Sequence, residues 1–382
     1  MHLITRNFLA LAQADWEPPH GVCLVAGPNG SGKTSLLEAF AFFRNSFKNS
    51  VHDAVRFLGG GRGLKHRGAP AGEPVYFSME VEGTRWELEI SLTGAGISEF
   101  PAERVTVGDS AFVRRLAGSN EWTVGGERRT DSIDDPPRTC LRAAWEASRP
   151  ASIETLVRIA DNIRVYDAWW LKQLKERGSP DSGHSYLHPT GRNLFDVLKI
   201  WRSAPRRYRY QYEWVREKAR LAFYDIFDDL EFSDEAGFVT ARFFPPSAGE
   251  GDEGLPIHRA ADGLLVGLLH LAAVAGARPG SLVAIDEMEN QLHPHAIRVI
   301  LTAMRELAEE RDLTVILTTH SPVLMNEFRD QPEQFYVTEP GRTPTPVRLD
   351  ELHDPRWLSQ FSLGDLYDQL RFGAPPPPDG AA

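Results

Sequence analysis

The octapeptide Gly27-Pro28-Asn29-Gly30-Ser31-Gly32-Lys33-Thr34, followed by Ser35, fits the pattern G-x-x-x-x-G-K-[ST]. Glycines let successive backbone N–H groups turn inward around a β-phosphate, a lysine supplies a point charge to the β and γ oxygens, and the threonine hydroxyl is placed for Mg²⁺. At average composition the pattern arises by chance in about one chain in a hundred of this length. A second element, Leu282-Val283-Ala284-Ile285-Asp286-Glu287, ends an apolar run in two carboxylates. The first carboxylate suits the water shell of Mg²⁺, and the second is placed to polarise an attacking water. A third element, Thr318-Thr319-His320-Ser321-Pro322, sets a histidine within reach of a γ-phosphate. Taken singly, acidic turns end many strands and histidines often cap or fill a core. Together the three point to a bound triphosphate.

These groups need elements to hold them. Residues 22–26 read as a strand that runs into the glycine loop, and 35–43 as a helix behind it. Continuous apolar strands at 281–285 and 314–318 alternate with helices at 260–276 and 296–310, the pattern of a mainly parallel sheet covered on both faces. Residues 75–81 and 86–90 alternate around a turn like a hairpin, with further strands to about 124. Residues 49–72 read as a glycine-rich, charged surface loop. The reading is an α/β chain in four parts: 1–138 with the phosphate loop and a β-subdomain, 139–225 as an inserted helical lobe, 226–345 as the second half of the core, and 346–382 as an extension. A break at 132–137 and a disordered proline-rich tail at 374–380 complete it.

At 382 residues two or three modules fit, and 42% apolar with 25% charged residues are ordinary globular values. A formal charge of −11 excludes a basic nucleic-acid coat, so contact with DNA or RNA needs a local patch. Two cysteines, Cys23 and Cys140, make no disulfide scaffold and no Cys-x-x-Cys pair, which favours a reducing compartment. The first residues carry no signal-peptide pattern. The longest apolar run, 264–277, contains His270 and is shorter than the roughly 20 residues of a bilayer span. The expectation is a cytoplasmic protein without a membrane partner.

Phosphate loop, Asp286-Glu287 and His320 together resemble the ATP-binding cassette heads of the structural-maintenance-of-chromosomes (SMC), RecF and overcoming-lysogenisation-defect group of AAA-like ATPases. Asn7-Phe8, Glu289-Asn290-Gln291-Leu292-His293-Pro294 and Ser321-Pro322 resemble its compact prokaryotic members. The resemblance covers about 1–47 and 260–326. It implies a P-loop NTPase fold, ATP and Mg²⁺ as ligands, Lys33, Glu287 and His320 as catalytic groups, and Thr34 with Asp286 at the metal. It also implies a homodimer that sandwiches ATP, in which Asp262 and Gly263 at the start of a signature-type helix face the partner's nucleotide. Two departures stand out. Ala261 replaces the usual serine, and no glutamine occurs between Lys33 and Gln173 to fill the water-sensing role. The interior lacks the heptads of a long arm, which disfavours a chromosome-condensing ring. By resemblance the output is DNA maintenance or defence against phage, with effector chemistry in a separately encoded partner such as a nuclease. A nucleotide-dependent scaffold with slow turnover and the motor of a transporter are the rival readings.

A basic stretch with interleaved aromatics contains Arg202, Arg206, Arg207 and Arg209, then Arg216, Lys218 and Arg220. Guanidinium groups beside tyrosines suit phosphate contacts and base stacking. A solvated helix whose aromatics pack inward explains the same pattern. Asp161, Asp167, His184 and His188 match no metal-ligand spacing.

Overall fold

The computed structural model describes residues 1–93, 96–97, 100–131, 138–341, 343, 345–358 and 360–370; the expected break at 132–137 and tail at 374–380 lie outside them. Six strands form the central sheet in the order Arg164–Tyr166, Leu282–Ile285, Thr314–Thr319, Gly21–Ala26, Phe335–Val337 and Val347–Arg348. The first five run parallel and the last antiparallel. Their apolar runs follow from burial on both sides. Alternate residues point to opposite layers: Leu24, Val283 and Leu317 belong to one core, and Cys23, Ala284 and Ile316 to the other.

On the first face lie the helices Leu194–Ser203, Pro205–Ala222, Asp262–Ala275 and Pro294–Arg311. Asp262–Ala275 is apolar nearly all round and buried from Leu264 onward, as a helix enclosed by neighbours must be. On the second face the helix Lys33–Lys48 lies between the central sheet and an eight-stranded antiparallel sheet. That sheet has the order Glu127–Thr130, Glu121–Val124, Ser110–Arg115, Ala102–Val107, Thr84–Ile90, Val75–Val81, His2–Phe8, Leu11–Trp16. Phe42 of the helix stacks on Phe77 at 4.1 Å, and Phe43 meets Trp86 at 5.2 Å. Rings of this size each contribute about 1.5–3 kcal/mol on burial, so this seam fixes the helix that carries the phosphate loop.

Two sequence expectations need correction or refinement. Residues 49–72 are not simply a loop: Val51–Phe57 and Gly61–Leu64 are helical, with Ser50 accepting from the Asp53 N–H as a cap and Val51, Ala54, Val55 and Leu64 buried. Residues 139–225 are largely helical, yet Arg164–Tyr166 within them is the edge strand of the central sheet, paired with Leu282–Ile285. The segment's helices divide between both cores. A three-residue strand is too short to leave a period in the sequence. Among the described residues no helix is long and apolar enough to cross a membrane.

Candidate nucleotide-binding and catalytic site

The strand Gly21–Ala26 delivers the loop Gly27–Gly32 to the N-terminus of the helix Lys33–Lys48. Gly30 and Gly32 have φ of 77° and 99°, the left-handed region that favours glycine. Gly27 is required for another reason: a Cβ there would lie 2.2 Å from the Thr338 carbonyl oxygen. Thr338 donates its N–H to the Ala26 carbonyl at 2.8 Å, and its hydroxyl is 2.7 Å from that of Ser31, so it props the loop from behind.

Lys33 is 5% exposed, and its Nζ donates to the carbonyls of Gly27 at 2.8 Å and Pro28 at 3.3 Å. The same Nζ lies 2.8 Å from His320 Nε2, across the gap between two strand ends. Because the ammonium donates, Nε2 is the acceptor and the imidazole proton sits on Nδ1. Burial pushes the Lys33 ammonium down to about 8, against the pull of Asp286, Glu287 and Glu289. Burial, and then the Lys33 charge, also hold His320 below its ordinary value, so it is neutral at pH 7.

Asp286 and Glu287 follow the strand Leu282–Ile285 directly. Thr34 Oγ1 donates to Asp286 Oδ2 at 2.7 Å, and the Thr318 hydroxyl donates to the other carboxylate oxygen. Thr318 Oγ1 in turn accepts the Glu287 N–H at 2.9 Å. Glu287 stands at φ 47°, a left-handed conformation that costs a non-glycine residue about 1–3 kcal/mol and that clusters at functional sites. Its Oε2 accepts from Asn290 at 2.7 Å, while Oε1 is 4.0 Å from His320 Nε2. Glu289 Oε1 accepts the His320 N–H at 2.8 Å. Lys33, Thr34, Asp286, Glu287 and His320 thus gather at the C-terminal ends of three adjacent parallel strands, where open α/β sheets bind ligands.

Several members of this cluster had no role assigned from the sequence. Thr318 and Glu289 fall inside quoted motifs but gain their roles from their partners, and Thr338 is identified only by its contacts. Glu38, one turn beyond Thr34 on the same helix, has its carboxyl raised to about 7, first by burial and then by Asp167 and Asp286. Asp167 directly follows Tyr166, whose carbonyl accepts the Asp286 N–H at 2.9 Å. Its place four residues after Thr34, on the same face of the helix, is the signal that could have found Glu38.

Asp262 and Gly263 lie apart from these groups in their contacts. Lys175 pairs with Asp262, and a Cβ at Gly263 would meet the Gln291 carbonyl at 2.7 Å. The basic stretch divides into two. Arg216, Lys218 and Arg220 are neutralised by Glu213 and Asp229, by Glu306 and by Asp228. Arg202 donates to the Leu230 carbonyl at 2.9 Å, whereas Arg206, Arg207 and Arg209 are exposed. Tyr212 and Trp214 pack inward.

The oxygens of Thr34 and Asp286 are hard donors of the kind Mg²⁺ prefers, and they are already adjacent. Among the described residues no cluster of three His, Cys, Asp or Glu side chains forms a cage of its own.

Residues 147–326 match the family model described as "AAA domain, putative AbiEii toxin, Type IV TA system". The chain is 47% identical over 55 residues to the DNA replication and repair protein RecF of Actinobacillus succinogenes, a match that covers 14% of this chain and 15% of that protein. It is 44% identical over 52 residues to RecF of Pseudoalteromonas atlantica, covering 13% and 14%. The chain therefore matches only about 15% of the length of these relatives. An SMC head bound to the C-terminal winged-helix domain of ScpA is 13% identical with a TM-score of 0.49, covering 92% of this chain and 99% of that one. The SMC head domain from Thermotoga maritima is 14% identical with a TM-score of 0.40, covering 88% and 93%. Residues 147–326 are thus similar to an AAA domain, and the phosphate loop, the acidic strand end and the histidine lie at the ends of neighbouring strands of the central sheet.

Proposed function

We propose that this chain binds and hydrolyses ATP, and that ATP closes two copies into a dimer whose opening follows hydrolysis. The observation that carries this reading is the gathering of Lys33, Thr34, Asp286, Glu287 and His320 at one sheet edge. Loop amides and Lys33 bind the β and γ phosphates, whose charge outcompetes the Gly27 and Pro28 carbonyls for Nζ. Thr34 and Asp286 hold Mg²⁺, which neutralises phosphate charge when bound. Glu287, aimed by its left-handed backbone and by Asn290, accepts a proton from the attacking water. His320, neutral and tied to Glu289 through its N–H, registers the γ-phosphate in place of Lys33. Phosphoryl transfer needs positioning and charge stabilisation more than covalent help, and this set supplies both. The RecF likeness supports a role in DNA maintenance; the alternative output, phage defence with a separately encoded effector such as a nuclease, rests on the resemblance of the motifs alone.

A slow nucleotide-dependent scaffold is the second reading. Ala261 in place of serine and the pairing of Asp262 with Lys175 favour it, because both leave less for a partner's nucleotide to touch. Turnover separates the two. A Glu287→Gln protein is expected to hydrolyse at least about a hundred-fold more slowly, still bind ATP, and accumulate as an ATP-dependent dimer in light scattering. Wild-type turnover no higher than background, with or without DNA, would establish the scaffold.

A further inference from the structure

At the opposite ends of the same strands lies a cavity of about 640 Å³ lined by six cations: Arg44, Lys48, Arg164, Arg207, Arg278 and Arg311. Its one acidic lining residue, Asp161, pairs with Lys48. None of the five arginines has an ion-pair partner among the described residues. Arg44 Nε is buried with no hydrogen-bond partner. Burial, and then the neighbouring Arg164, push the Arg44 guanidinium below its ordinary value. Six cations lining one cavity with a single carboxylate among them are an arrangement that an anion stabilises.

We infer that this cavity is a binding site for a small polyphosphorylated ligand, separate from the nucleotide site. The volume falls within the roughly 300–1,000 Å³ of small-molecule sites, and charge-assisted arginine contacts favour clustered phosphates. A strand of nucleic acid fits less well. Strand binding relies on open aromatic platforms, and here Arg164 lies over Tyr186 at 5.6 Å and Arg207 over Tyr208 at 5.2 Å, so guanidinium groups cover the rings. The position suits communication with the catalytic edge. Lys48 ends the helix that begins at Lys33, 15 residues or about 22 Å away, Arg164 begins the edge strand, and Arg311 ends the helix before Thr314–Thr319.

The test is calorimetric titration of the full chain with inorganic tripolyphosphate. Wild type is expected to bind at both the phosphate loop and the cavity, Lys33→Ala to keep the cavity binding, and Arg207→Glu/Arg278→Glu, when combined with Lys33→Ala, to bind at least about ten-fold more weakly than Lys33→Ala alone. Both arginines of the double variant are exposed, so its melting temperature and ATP affinity are expected to stay unchanged. GDP titrated into Lys33→Ala distinguishes a nucleotide source from an inorganic one: tighter binding than tripolyphosphate assigns a nucleotide, weaker binding an inorganic or other polyphosphate, and either supports the site. Loss of tripolyphosphate binding in Lys33→Ala with no effect of the arginine changes, or no binding by wild type, overturns the inference. So does an Arg207- and Arg278-dependent affinity for a single-stranded oligonucleotide without affinity for tripolyphosphate.

Discussion

Lys33 keeps its charge against burial, and that tension makes nucleotide affinity depend on pH. Its folded value of about 8 lies below the ordinary 10.5, so the ammonium is lost as pH rises through 8, and phosphates that demand the charged form must restore the proton. ATP affinity measured by calorimetry is expected to be flat below pH 8 and to weaken toward about ten-fold per pH unit above it. A flat profile to pH 9.5 contradicts this. Glu38 has the opposite sign. Its folded value of about 7 exceeds the ordinary 4.5, so the neutral form stabilises the fold and that contribution is lost as pH rises from 4.5 through 7. Allowing for partial solvent screening, Glu38→Gln is expected to gain about 1–2 kcal/mol in urea unfolding at pH 8 and nothing at pH 4. Equal gains at both values would point to packing instead of charge. At this scale the phosphate loop, Asp286, Glu287 and His320 were legible because their types and spacing are local. Glu38, Asp167 and Thr338 were not, because what they do is set by partners far along the chain.

Among elements, the helix Cys140–Ser148 is tied to the antiparallel sheet by a buried acid. Glu103, 1% exposed, accepts from the N–H groups of Cys140 at 2.6 Å and Leu141 at 2.9 Å and from Trp86 Nε1 at 3.1 Å, with Arg115 at 3.4 Å. Arg115 also reaches Asp131 at 2.9 Å. Removing the arginine leaves a buried carboxylate without its cation, so Arg115→Met is expected to cost about 3–5 kcal/mol in chemical denaturation, and Arg115→Met/Glu103→Gln less. A double variant as damaged as the single one would contradict the charge argument. The strands and long helices were legible through their periods of 2 and 3.6, and the hairpin at 75–90 through its glycine turn. The edge strand Arg164–Tyr166 and the helix Val51–Phe57 were not. The first is three residues long, and the second opens in a charged stretch whose helical signal rests on the Ser50 cap.

For the whole molecule, one sheet serves two ends. Its carboxyl edge collects the acidic and histidine groups of the proposed nucleotide site, and its amino edge collects the arginines, in a chain whose net charge is −11. The parallel core was legible from apolar strands alternating with helices, whereas the basic cavity was not, because its walls come from six separate segments. The central claim is that one triphosphate is held jointly by residues from three distant parts of the chain. A crystal structure with a nonhydrolysable ATP analogue and Mg²⁺ tests it directly. The account predicts the β and γ phosphates within hydrogen-bond distance of Lys33 Nζ, the metal on Thr34 and Asp286, and Glu287 and His320 facing the γ-phosphate. A nucleotide seated elsewhere, with those side chains turned away from it, contradicts the account.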